Sequence, residues 1–123
     1  MRKFTFAAAL SLAVLLGAEP KAVTEAKAKA KAGKYEEAIA QLDGALKTSP
    51  KEAPALKAGL ADVYLSQGDF FMYNEQMPPF RKYPSALRSY RKVLEFDKTN
   101  AKAQKNIATI EGIYKSMGRP VPQ

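Results

Sequence analysis

Cysteine, histidine and tryptophan are all missing from the 123 residues. Without cysteine no disulfide can form, so the fold must rest on packing even in an oxidising compartment. The missing histidine and cysteine also remove the commonest zinc ligands, the usual general base near neutral pH and the thiol nucleophile. Acidic residues are in deficit, 12 against 20 lysines and arginines, and the formal charge is +8 at pH 7. Glu36 and Glu37 are adjacent on a helical pattern and point apart, so they cannot flank one substrate atom. No glycine-rich phosphate loop occurs, and no serine has a histidine to activate it. Enzymatic chemistry, a bound metal and a cofactor are therefore not expected.

What is present is a globular balance, 46% apolar and 26% charged, in a length that suits one modest domain. One long apolar run exists, at the start. Arg2 and Lys3 precede an uncharged stretch from Phe4 to Leu16, too short to span a bilayer comfortably, where about 20 residues are needed. A cationic end, a short apolar stretch and small residues after it predict a secretory signal peptide over residues 1–18, cut after Ala18, with Ala22 as the second choice. Leu15-Leu16-Gly17-Ala18 resembles a bacterial lipoprotein signal, but Ala18 stands where the lipid-accepting cysteine would be. Removing Arg2 and Lys3 leaves a charge of +6. The expected location is the periplasm or the exterior; the alternative is a membrane anchor formed by an uncleaved signal.

From Pro20 onward the apolar spacing is helical. Pro20 suits a first helical turn, where the missing amide hydrogen would be unpaired anyway. Ala22 to Ala32 alternates Ala with Lys, both good helix formers, and Gly33 ends the segment. Tyr35, Ala38, Ile39, Leu42, Ala45 and Leu46 then share one face, with Glu36 and Glu37 at the positive end of the helix dipole and Thr48-Ser49-Pro50 as the stop. A further pair follows. Leu56, Leu60, Val63 and Tyr64 form one face, ended by Gln67-Gly68-Asp69; Ala86, Leu87, Tyr90, Val93 and Leu94 form the next, ended near Asp97–Asn100. Asn100 is a good N-cap for a last helix with Ala103, Ile107, Ile110, Tyr114 and Met117 as its stripe, closed by Gly118-Arg119-Pro120.

Gly33 and Gly68 are 35 apart and Ala38 and Ala86 are 48 apart. A repeat of about 34 residues accommodates both if one extra residue lies in the Lys51–Ala55 turn and the remainder in an insertion over 70–82. Ala38, Leu42, Ala45 and Leu46 then superimpose on Ala86, Tyr90, Val93 and Leu94. With Gly33-Lys34-Tyr35-Glu36-Glu37-Ala38-Ile39 running to Pro50, and Leu60-Ala61 followed by Tyr64 and Gly68, residues 19–118 resemble the tetratricopeptide repeat family. The departures are Lys29 in place of an aromatic, Lys98 in place of a proline, and a last helix prolonged by Tyr114 and Met117. The resemblance implies an all-α chain of two helical hairpins and a capping helix, with a signal helix before it, 33–68 its most regular part and 119–123 a tail. It also implies a concave groove that holds a peptide or partner domain, with no enzymatic role.

Three sets of residues are candidates for that work. If first helices line the groove, Lys27, Asp62, Lys105 and Thr109 point into it. The insertion offers Phe70, Phe71, Met72, Tyr73 and Phe80 as anchors, because aromatic and Met side chains dominate interface energies; its bland reading is that it covers its own hairpin or extends a helix. Arg88, Arg91 and Lys92 form a basic helical face suited to an acidic peptide or to phosphates, or simply a solvated surface. The expected function is an adaptor of the periplasm or cell envelope bound to another protein. The alternative is a module for polyanions, lipid headgroups or nucleic-acid phosphates; nucleic acid is the less expected of these, and membrane contact is expected only through an uncleaved signal. Two hairpins and a cap make a marginal core, so a homodimer or a stabilising partner is expected.

Overall fold

The computed structural model describes residues 19–123, and the expected signal segment with its cleavage point lies outside them. Five α-helices follow in order: α1 (Lys21–Lys31), α2 (Tyr35–Thr48), α3 (Ala53–Met72), α4 (Pro79–Phe96) and α5 (Ala101–Ser116), with a short 3-10 turn over Pro50–Glu52. Among the described residues there is no strand, and no helix is long and apolar enough to cross a membrane.

Each boundary has a local cause. Pro20 precedes α1, and its carbonyl accepts from the Val23 and Thr24 amides at 3.0 and 3.2 Å. Val23, Ala26 and Ala30 are the buried stripe of α1. Gly33, at φ 80°, then closes the helix: its amide donates to the Ala30 carbonyl at 3.0 Å and the Lys34 amide to the Lys29 carbonyl at 2.9 Å, bonds that satisfy carbonyls of the last turn. The same pair of bonds closes α5, where Gly118 lies at φ 65° and the Arg119 amide reaches the Tyr114 carbonyl at 3.0 Å. At the start of α5 the Asn100 side chain accepts from the Ala103 amide at 2.9 Å.

Gly68 behaves differently from the expectation that it ends a helix. Helix α3 runs through it to Met72, 20 residues in all. A Cβ on Gly68 would stand 2.6 Å from the Tyr90 ring, so the residue is there to let α4 approach. The Tyr90 hydroxyl donates to Asp69 Oδ1 at 2.6 Å, and burial, reinforced by that carboxylate, pushes the phenol far above its ordinary range. The residues expected as an insertion are accordingly mostly helix. Phe70, Phe71 and Met72 complete α3, and Pro79 occupies the first turn of α4, where a proline needs no amide partner. Only the turn between Met72 and Pro79 breaks the pattern.

Helix α3 is the common wall. It packs against α1 and α2 on one side and against α4 on the other, while α5 packs on α4. Two apolar clusters result. Val23, Ala26, Ala38, Leu42, Leu56 and Leu60 fill one; Ala61, Ala86, Leu87, Tyr90, Val93 and Ile110 fill the other. Ala38 and Ala86 are both fully buried, one in each cluster, where close packing leaves little room for a larger side chain. Tyr64 and Phe96 stack nearly parallel, centroids 6.1 Å apart, and touch both clusters. Met117, expected in the stripe of α5, is instead half exposed at its end. The tail folds back: Val121 packs on the second cluster, and the Arg91 guanidinium donates to the Pro122 and Gln123 carbonyls at 2.9 and 3.2 Å.

Candidate functional site

A cleft of about 320 Å³ opens between α1 and α3. Its floor is Ala30 and Val63, both buried, and its rim carries Lys27, Lys31, Asp62 and Ser66. Lys27 Nζ lies 2.8 Å from Glu19 Oε1 and 3.7 Å from Asp62 Oδ2. The hydrogen bond that Lys27 donates to Glu19 raises the lysine's pKa, and Lys27 in turn, with Thr24, holds the Glu19 carboxyl below its usual range. Tyr35, the first residue of α2, closes one end of the cleft, and burial raises its phenol.

Tyr35 also borders a second cavity, of about 330 Å³, with Gln67, Phe70 and Phe71 opposite and Glu36 and Glu37 at its edge. The Tyr35 and Phe70 rings are 5.8 Å apart, and Phe70 meets Phe71 edge-on at 5.5 Å. Cleft and aromatic patch are therefore continuous across one tyrosine. The sequence assigned Tyr35 to a core face. It does pack against the first cluster, and it also borders both cavities; its position two residues after the left-handed Gly33, where the chain reverses, is the signal for that second role.

Of the candidate groove residues, Lys27 and Asp62 come together in this cleft. Lys105 and Thr109 do not line it; they are exposed on α5, where Thr109 Oγ1 donates to the Lys105 carbonyl at 3.0 Å. The insertion aromatics divide. Phe70 is 48% exposed beside Tyr35, Phe71 and Met72 are half-buried against the second cluster, Tyr73 is exposed in the turn, and Phe80 belongs to a different cavity at the start of α4. The basic face is largely engaged: Arg91 holds the tail, Lys92 pairs with Glu95 at 3.0 Å and has its pKa raised by it, and Arg88 is exposed. Among the described residues no group of acidic side chains is placed to hold a metal ion.

Residues 29–70, from the last turns of α1 through α2 to Phe70 of α3, match a family model described as tetratricopeptide repeat. No curated protein and no solved structure matches the chain.

Proposed function

We propose that this chain, whose residues 29–70 match the tetratricopeptide repeat model, a fold unit that works by binding proteins, is a non-enzymatic adaptor or scaffold of the periplasm or cell envelope that grips its partner along the surface from Lys27 to Phe71. The observation that carries the reading is Tyr35, shared by the cleft and the aromatic patch. An apolar floor with a few polar groups on its rim is the usual composition of a peptide site, the floor giving affinity and the rim orientation. Phe70 adds a large exposed anchor at one end. The Lys27 pairs with Glu19 and Asp62 are about half exposed, and pairs so open to solvent contribute little to folding. A ligand can re-pair them at little cost to the fold.

Export to the periplasm or beyond rests on the signal pattern of residues 1–18. The polyanion reading has less support, because two of the three basic-face side chains already have partners. A photo-crosslinking residue placed at Tyr35 of the full-length chain, in its own cells, should yield a discrete heavier protein adduct. The same residue at Arg88 should not. Ser66→Arg, which fills the cleft from an exposed position, should abolish the adduct without moving the thermal melt. Adducts formed only from position 88, or with lipid or nucleic acid, refute the proposal.

A further inference from the structure

Away from this surface, the first turn of α4 and the end of α5 enclose a cavity of about 660 Å³. Pro79, Phe80, Tyr83, Tyr114 and Met117 form its walls, and Arg119 stands at its edge. Phe80 is 74% exposed and Met117 50%. Burying a large apolar side chain is worth about 1.5–3 kcal/mol, so two such residues held in water in a small repeat domain form an unfilled surface. Its charge is one-sided. Arg119 is the one ionic wall residue, Lys82 precedes the wall residue Tyr83, and neither makes an ion pair among the described residues. Lys82 Nζ lies instead over the Tyr83 ring, 5.6 Å from its centroid. Lys27 and Lys92, by contrast, do have carboxylate partners.

An apolar cleft rimmed by uncountered cations selects its occupant. A second copy is disfavoured, since a two-fold contact would set the same cations against each other. A concave wall fits a chain segment better than a flat bilayer. We propose that this cavity is a second docking site, for an acidic peptide segment whose one or two large apolar side chains fill the Tyr83–Tyr114–Met117 cleft while its carboxylates pair with Lys82 and Arg119. The site shares no lining residue with the Lys27–Phe71 surface, so one chain can hold two partners.

The test uses the protein purified from its own cells and a short synthetic peptide with a Phe-Leu pair between runs of aspartate. Binding should shift the NMR signals of Tyr83, Tyr114 and Met117 and leave those of Lys27 and Tyr35 in place. Arg119→Glu should weaken it about tenfold or more with an unchanged melt, because that side chain is exposed. Affinity should also fall when the Phe-Leu pair becomes Ala-Ala, and as salt rises from about 50 to about 500 mM. Unchanged affinity in the charge-reversed variant overturns the proposal, as do shifts confined to the α1–α3 cleft. So does binding to phosphatidylglycerol vesicles without binding to the peptide, or a dimer that Phe80→Ser dissolves in a chain that ignores the peptide.

Discussion

Glycine does two jobs among the described residues and at one position does neither, and the same substitution separates the three cases. Gly33 and Gly118 supply positive φ at helix ends; Gly68 supplies room inside a helix; Gly112 supplies neither, since nothing lies within 4 Å of where its Cβ would be. Gly112→Ala should therefore stabilise the protein by up to about 1 kcal/mol through helix propensity alone. Gly68→Ala should do the opposite, costing about 1–3 kcal/mol as the Tyr90 ring is displaced. Urea unfolding measures both, and a stabilised Gly68→Ala would mean the ring has space to yield. In a Tyr90→Leu background the Gly68→Ala penalty should shrink, because the contacting ring atoms are gone. The residue scale is also where sequence reading reached its limit. Gly33 and Gly68 look alike along the chain, each 35 residues from the other after an apolar stripe. What distinguishes them is Tyr90, distant in sequence, and a local pattern cannot report a close approach from a later helix.

At the scale of elements, the ends of α1, α2, α4 and α5 were readable because their causes are local: a left-handed glycine, a proline after Thr48-Ser49, an asparagine with its side chain on an amide three residues on. Asn100→Ala should cost about 1 kcal/mol, with the loss of hydrogen-exchange protection concentrated in the first turn of α5. Uniform loss across α4 and α5 would mean that the cap sets the packing of the pair and not merely the start of one helix. The extension of α3 and α4 was less readable. Pro78-Pro79 suggests a loop, yet a proline is as much at home at the beginning of a helix as in a turn, and Phe71 and Met72 gain burial against the second cluster by staying helical. That choice moves Phe70 beside Tyr35 and leaves Phe80 on another surface. Lys27 and Asp62 were legible as neighbours because both lie on first helices, and they line the same cleft. The role of Arg91 was not, since the tail carbonyls it binds belong to a segment with no periodic pattern.

At the scale of the whole molecule, the described residues build two small cores where a solenoid ordinarily stacks about three units, and in such arrays stability depends on nearest-neighbour interfaces. Two features join the cores here: the continuity of α3, which contributes Leu56 and Leu60 to one and Ala61 to the other, and the stacked Tyr64–Phe96 pair that touches both. Their contributions can be separated. Phe96→Ala leaves α3 intact and removes the lateral contact, so unfolding by urea should lose cooperativity. The apparent m-value should fall, and protection of α1 and α2 should part from that of α5 by about 1 kcal/mol or more. A single transition with an unchanged m-value would assign the coupling to the α3 backbone alone. The distinction matters for binding, because the Lys27–Phe71 surface lies largely over the first core and the Phe80 cavity over the second. If the stacked pair couples the cores, a peptide bound at either surface stabilises the whole chain and raises the protection of the far helices as well. If it does not, each ligand protects only its own half.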